Sequence, residues 1–458
     1  MAVPIELESL AFDPSNARAA LDQLPAKPAV FALYGEEAHF EPYIGRTPNL
    51  RGRLERLLQP SAKHPRRLQL AGRVRQIRFR LTGSEFESLL AQFSLLEQIY
   101  GSKSLERMHL RAPAFVRFLG SNAYPRITVT HRPSLREAEW AYGPFASRAA
   151  AERYAEEALK LFLLRRCIEE LDPHPTHPGC VYSEMKMCLA PCYQGCTDER
   201  YGEEAAAVEQ FLATRGESRL VQLRAQRDEA SANLEFEAAA AVHAQVQRIE
   251  SVRALAPELV RPLSQLRAVI LQASADPGEV AVFLYENGRL SGPAAFSTLG
   301  MRIQNEQSGS TSLFAQPMAI EPIPEEAGNR EHAGNREQGT GNSQSAFAAA
   351  ELAAPDALIA AATVEDEARA ALPTRIARGV LDARMEAVLA TVAGQSQAPS
   401  ATVRQGHLAL LKRWYYRPEA RRTGEIFFPG SDGAWTVKAI LRGVGRVAAK
   451  MLAAGGSQ

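Results

Sequence analysis

Two sets of side chains in this sequence have the types and spacing to do chemistry. The first lies in YIGRTPNLRGRLERLL, residues 43–58, where Tyr43 is followed by Arg46, Arg51, Arg53 and Arg56. A tyrosine and an arginine facing one pocket can activate a nucleophilic water and neutralise a phosphorane, while a carboxylate on a neighbouring helix holds a divalent metal. The second is Cys167, Cys180, Cys188 and Cys192, separated by twelve, seven and three residues, with Cys196 three further on. Four thiolates at such spacing can hold an iron–sulfur cluster or a tetrahedral zinc ion. All five cysteines fall in this window, which in a reducing compartment points to ligation more than to disulfides.

Both sets need elements to hold them. The 458 residues exceed one compact core, and the length predicts about three or four domains. AVFALYGEEAHFEPYIGRT alternates as a hairpin, and a helix is expected from Leu50 to Leu58. Residues 46–80 carry ten Arg and one Lys against a single Glu, so the formal net charge of +1 hides a strongly polarised molecule. A run this dense, which includes Arg66 and Arg67, repels itself unless an anion lies against it; phosphate backbone is the usual partner.

SEFESLLAQFSLLEQIY places Phe86, Leu89, Leu90, Phe93 and Leu96 at helical spacing. AFVRFLG and YPRITVTHR read as strands, and SRAAAERYAEEALKLFLLRRC as a helix running to Cys167. Residues 198–251 read as helical with a break at ANLEFEAAA, and Ala230, Leu234, Phe236, Ala239 and Val242 are expected to form the shared seam of the resulting hairpin. Strands resume at LRAVILQA and EVAVFLYENGRLSG, with Asn287-Gly288 as the turn. Residues 304–345, rich in Gly, Asn, Gln, Ser and Glu and containing AGNRE twice, are expected to be a disordered linker. The tail is expected to be helical over 352–392. It then turns basic and aromatic at LLKRWYYRPEARRTGEIFF, which suits either stacking on nucleic acid or a packed strand with basic flanks. LRGVGRVAAKML has the Gly-Val-Gly of half a helix-hairpin-helix, a backbone-amide phosphate cradle. No run approaches the ~18 apolar residues of a membrane span, and Glu6, Glu8 and Asp13 stand where a signal peptide would be cationic, so a cytoplasmic protein is expected.

AVFALY…EPYIGRTPNLRGRLERL resembles the GIY-YIG nuclease domain, specifically that of the UvrC family, the incision subunit of bacterial nucleotide excision repair. The resemblance implies that Tyr43 is the second tyrosine of the motif, Gly45 the close-approach glycine, Arg46 the basic residue behind it, Asn49 the turn residue and Arg53 the catalytic arginine. Arg46, Asn49, Arg51, Arg56, Arg66 and Arg67 become candidate DNA contacts. The sequence departs from the pattern at two places: Phe31 stands for the first tyrosine, and Gln92 stands where the family's metal-holding glutamate belongs. An amide offers Mg²⁺ one neutral oxygen, so metal binding is expected to be severely weakened. YGPF, LFLLRRC and KMCLAPC resemble the family's cysteine region, which makes Cys167, Cys180, Cys188 and Cys192 the implied ligands of a 4Fe-4S cluster, with zinc as the alternative. LVQLRAQRDEASANLEFEAAAAVHAQVQRIESV resembles the UVR motif, with Leu234, Phe236, Glu237, Ala239 and Ala240 matching the core that in the family docks on UvrB.

The expected fold is therefore α+β and multidomain. It comprises a GIY-YIG-like domain with a central antiparallel sheet over 25–110, a β/α region with the cysteines over 111–202, and a helical region with the UVR hairpin over 203–258. Strands resembling the start of an RNase H-like region follow over 262–303, then a linker over 304–347 and a divergent C-terminal region over 348–458. No segment resembles the acidic cluster of a second nuclease. The implied function is a repair protein that binds damaged double-stranded DNA and a UvrB-like partner while cutting poorly. Two other readings stay open: an active minimal endonuclease nicking 3′ of a lesion, using Mg or Mn with Glu87 or Glu97 as the carboxylate, and a non-catalytic protein-binding adaptor.

Overall fold

The computed structural model describes residues 6–36, 41–59, 70–134, 138–301, 378–394, 399–430 and 432–455. Arg66 and Arg67, the expected linker and the expected helix over 352–377 lie outside the described residues. Among the described residues the architecture is α+β, with three four-stranded antiparallel sheets.

The first sheet has the order β1-β4-β2-β3, from β1 (Glu8–Ala11), β2 (Ala29–Gly35), β3 (Tyr43–Thr47) and β4 (Val74–Leu81). The expected hairpin forms with Phe31 opposite Gly45 and Leu33 opposite Tyr43. Ala29 to Leu33 are buried without alternation because both faces of β2 are covered. One face meets α1 (Ala17–Asp22) and α2 (Leu50–Leu58), whose Leu50, Leu54, Leu57 and Leu58 pack with Phe31 and Leu33. The other meets α3 (Glu85–Tyr100), whose Ala91 and Leu95 cover Val30 and Ala32. A short α4 (Ser104–Arg107) follows.

The second sheet, order β6-β5-β7-β8, comprises β5 (Ala114–Phe118), β6 (Ile127–Thr130), β7 (Ala141–Phe145) and β8 (Arg261–Pro262). Beside it lies α5 (Arg148–Leu159), which ends well short of Cys167; the expected helix does not run on, and 160–180 is irregular apart from turns. The cysteine segment holds one short helix, α6 (Val181–Glu184). Three longer helices follow: α7 (Asp198–Ala213), α8 (Glu217–Ala232) and α9 (Phe236–Ala254). The break before α8 falls at Gly216, whose φ of +80° belongs to the left-handed region that glycine enters without penalty.

The third sheet, order β11-β10-β9-β12, joins segments far apart in sequence. It contains β9 (Ala268–Ala273), β10 (Glu279–Glu286), β11 (Arg289–Ser297) and β12 (Glu425–Phe427). The expected Asn-Gly turn is present, with Asn287 and Gly288 both at positive φ. On one face lie α10 (Arg378–Gly394) and α12 (Val437–Gly455), and on the other lie α11 (Ala401–Tyr415) and α3. The C-terminal segment is thus the completion of the third sheet, not a separate region.

For that segment one reading is met and another corrected. The basic aromatic stretch ends helix α11 and then forms β12, a packed strand paired with β9. Trp414 is 2% exposed, packs on Phe86 and donates from Nε1 to the Thr423 carbonyl at 2.9 Å, while Tyr415, Tyr416, Phe427 and Phe428 are partly buried. Gly443-Val444-Gly445 lies inside the uninterrupted α12, so no phosphate cradle forms; Gly443 instead lets the Phe427 ring approach within 2.4 Å of where a Cβ would sit.

Candidate nucleic-acid interface, cysteine centre and projecting hairpin

The Tyr43 and Arg53 side chains meet. Arg53 Nη2 donates to the Tyr43 hydroxyl at 3.2 Å, across the gap between β3 and α2. The start of α2 is fixed by Asn49, whose Oδ1 accepts from the Gly52 amide at 2.8 Å, so Asn49 serves as an N-cap. One turn of helix from this cap to Arg53 aims the guanidinium back at the hairpin. The Phe31 ring fills the space over Gly45, where a Cβ would lie 2.7 Å from Phe31 Cζ. Phe31 is fully buried, 6.1 Å from the Tyr43 ring, and brings no hydroxyl.

The other expected DNA contacts divide by their partners. Arg56 is exposed and donates from Nε to the Gly52 carbonyl of its own helix. Arg51 is spent on structure, donating to the Leu24 carbonyl at 2.7 Å and the Asp22 carbonyl at 3.1 Å, which ties α2 to the end of α1. Arg46 lies 3.4 Å from Glu85. Glu85 also takes a two-pronged pair from Arg417, at 2.7 and 2.8 Å, and this bond to Arg417 holds its carboxyl below the usual carboxylate range.

Gln92 lies half-buried on α3, between Ala91, which faces the first sheet, and Phe93, which faces the third. Of the two carboxylates that the sequence offered as substitutes, Glu87 is engaged elsewhere and Glu97 lies at the far end of the helix. Glu87 is 5% exposed, accepts from the Gly83 amide at 2.9 Å and lies 3.7 Å from Arg80; burial raises its pKa. It completes the N-terminal cap of α3 begun by Ser84. Glu97 is half-exposed near the far end of α3.

Cys167, Cys180, Cys188 and Cys192 line one cavity, together with Arg165, Tyr182 and Pro191. Cys196 is not among its lining residues. Burial pushes the Cys188 thiol up to about 11, with Cys167, Cys180 and Cys192 adding to the effect. The Ala190 amide donates to Cys188 Sγ at 3.3 Å, and Arg165 Nη1 lies 3.6 Å from Cys167 Sγ. Among the described residues, no three His, Cys, Asp or Glu side chains stand close enough to hold one metal ion. Four thiols thus line one shared cavity, with N–H donors near two of the sulfurs.

The helical hairpin α8–α9 differs from its expected packing. Its seam is Leu220, Leu223 and Ala230 against Val246, Ile249 and Val252. Leu234 and Phe236 are 72% and 66% exposed, because Leu234 adopts φ +60° in the turn and both side chains sit at the tip. Glu237 and Ala240 are exposed and Ala239 is half-exposed beside them.

Sequence comparison matches residues 115–211 to the UvrC/Cho excinuclease middle domain and 217–252 to the UvrB/uvrC motif. A UvrABC system protein C from Alcanivorax borkumensis is 29% identical over 227 residues, covering 50% of this chain and 37% of that protein. One from Ruminiclostridium cellulolyticum is 27% identical over 312 residues, covering 67% and 50% respectively. One from Pseudomonas protegens is 26% identical over 241 residues, covering 53% and 39%. The chain thus spans half or less of the length of these relatives. No solved structure matches. The chain's middle region and hairpin are similar to those of the UvrC family, over residues 115–211 and 217–252.

Among the described residues, no helix is long and apolar enough to cross a membrane.

Proposed function

We propose that this chain acts in nucleotide excision repair as a DNA-binding, UvrB-docking protein whose GIY-YIG-type domain cuts poorly or not at all. One observation carries the reading. The Arg53–Tyr43 pair is assembled at 3.2 Å, whereas α3 carries Gln92 at the metal position and its nearby Glu85 and Glu87 are committed to Arg417, Arg46 and Gly83. The cations that receive a phosphate are present, and the carboxylate that would anchor Mg²⁺ or Mn²⁺ is not supplied. The residues therefore do not fit the metal, and no cleavage step is derived through it.

Damaged double-stranded DNA is the proposed ligand of the Arg46, Arg53 and Arg56 edge. A UvrB-like protein is the proposed partner of the exposed Leu234–Phe236 tip, whose apolar side chains form part of a buried interface once docked. Cys167, Cys180, Cys188 and Cys192 would hold a 4Fe-4S cluster, which fixes an irregular loop that has little secondary structure of its own. The absorption spectrum of purified protein separates the two cofactor choices, since iron–sulfur clusters are coloured and zinc is not.

The decisive experiment is a nicking assay on lesion-containing duplex with Mg²⁺ or Mn²⁺ and a UvrB partner. DNA binding with little turnover is expected. Clear turnover abolished by Arg53→Ala would establish the minimal-endonuclease reading instead. Affinity that does not change with salt would favour the adaptor, because phosphate contacts give a steep negative slope of log affinity on log salt.

A further inference from the structure

Three arginines meet where the second sheet adjoins the C-terminal part of the third. Arg215, in the turn between α7 and α8, donates from Nη2 to the Ala256 carbonyl at 3.2 Å, and its Nε is buried with no partner among the described residues. Arg261, on β8, donates from Nε to the Glu258 carbonyl at 3.0 Å and lies over the Phe428 ring at 4.5 Å. Arg422 donates from Nη1 to the Tyr415 carbonyl at 3.1 Å and lies over the Tyr415 ring at 5.4 Å. The Tyr415 phenol, bonded by the Leu259 amide, sits in the field of Glu258, Arg422 and Arg215 together. Burial and then the like charge of Arg215 lower the Arg261 pKa, and the Glu258 carboxylate opposes them.

This is an unusual use of charge. Glu258 is exposed and acts on Arg261 and Tyr415 from the side, and none of the three arginines makes an ion pair among the described residues. Half-burying like charges side by side is unfavourable unless an anion offsets them. The carbonyls and aromatic faces orient each guanidinium while leaving most of its five N–H donors unused. Planar forks held from behind on three neighbouring elements suit the several oxygens of a phosphate group better than a single carboxylate.

We propose that Arg215, Arg261 and Arg422 form a second phosphate-binding site, remote in sequence from the first hairpin, which takes a backbone phosphate of the bound DNA. The inference rests on the nucleic-acid reading above and adds a specific contact to it. Free phosphate offers the same chemistry and is separated from DNA by the test.

The test uses the full chain and a fluorescent duplex, with affinity measured by anisotropy across a range of KCl concentrations. Two variants are compared with the parent: the double change Arg261→Gln with Arg422→Gln, and Arg422→Glu, which puts a carboxylate beside Arg215 and Arg261 and so answers their charge from within. Circular dichroism checks that each folds. Loss of about one unit from the salt slope is expected in both variants, at ~0.9 per phosphate contact. A steep parental slope retained unchanged in both would overturn the site while sparing the broader reading. A flat parental slope would overturn the nucleic-acid reading itself. In that event, inorganic phosphate that raises the melting temperature of the parent but not of Arg422→Glu supports a free-phosphate site, and equal or absent shifts refute it.

Discussion

Two glutamates two positions apart on α3 show how neighbouring identical side chains acquire opposite properties. Arg417 depresses the Glu85 pKa, whereas burial raises that of Glu87. A depressed carboxylate contributes stability above its unfolded pKa of ~4.3, and that contribution is lost as pH falls through the folded value. A raised one does the reverse: its contribution is present at low pH and disappears as pH rises through the folded value. Glu85→Gln should therefore lower the melting temperature modestly near pH 7, with the deficit vanishing in acid; an exposed pair of this kind contributes at most about 1 kcal/mol. Glu87→Gln should be neutral or slightly stabilising near pH 7, since the amide oxygen can still accept from Gly83. Any residual nicking should also survive Glu87→Gln, whereas a Glu87 that anchored metal would take all activity with it. Sequence reading placed Glu87 correctly on the helix. Its commitment to the Gly83 amide depends on a cap geometry that residue type alone does not reveal.

At the scale of elements, periodicity made α2 legible because it buries one recognisable face on a neighbour close in sequence, and it marked α3 and the first hairpin although both are covered on two faces. The same periodicity misled at the hairpin tip. Leu234 and Phe236 read as seam residues by apolarity, but the turn directs both outward. Truncating both to Ala should leave stability within about 0.5 kcal/mol, as for exposed positions in general, while weakening UvrB-type docking by roughly 30-fold if they supply ~2 kcal/mol of interface energy. Ile249→Ala, in the true seam, should instead cost about 2–4 kcal/mol of stability. Calorimetry and a binding titration on the same two proteins distinguish these roles. A second misreading was Gly443-Val444-Gly445, where a motif-like glycine pair sits inside a regular helix. A Cβ at Gly445 meets nothing within 4 Å, so Gly445→Ala should stabilise by about 0.5–1 kcal/mol through helix propensity. Were the segment a turn that cradles phosphate, the same change would impair folding or DNA affinity.

For the whole molecule, the least legible feature was that α3 belongs to two cores. Ala91 and Leu95 pack on the first sheet, while Phe86, Leu89, Leu90 and Phe93 pack with Phe283, Leu408 and Trp414 of the third. The stripe legible in the sequence is the one that packs on the distant third sheet, while Ala91 and Leu95, which cover the first, do not stand out because alanine is a weak marker of burial. The arrangement makes the C-terminal part of the chain a brace for the first sheet, latched at its edge by Arg417 and Glu85. Gly406 is where the brace is tightest: a Cβ there would lie 2.1 Å from Phe93 Cζ, and Phe93, at 0% exposure between the two sheets, has no room to retreat. Gly406→Ala should therefore destabilise by about 1–3 kcal/mol despite improving helix propensity in α11, which lowers the melting temperature by several degrees and separates the unfolding of the first sheet from that of the third. An unaltered single transition in that variant would mean that the two sheets do not share the helix, and the role of the C-terminal part as a brace would fall with it.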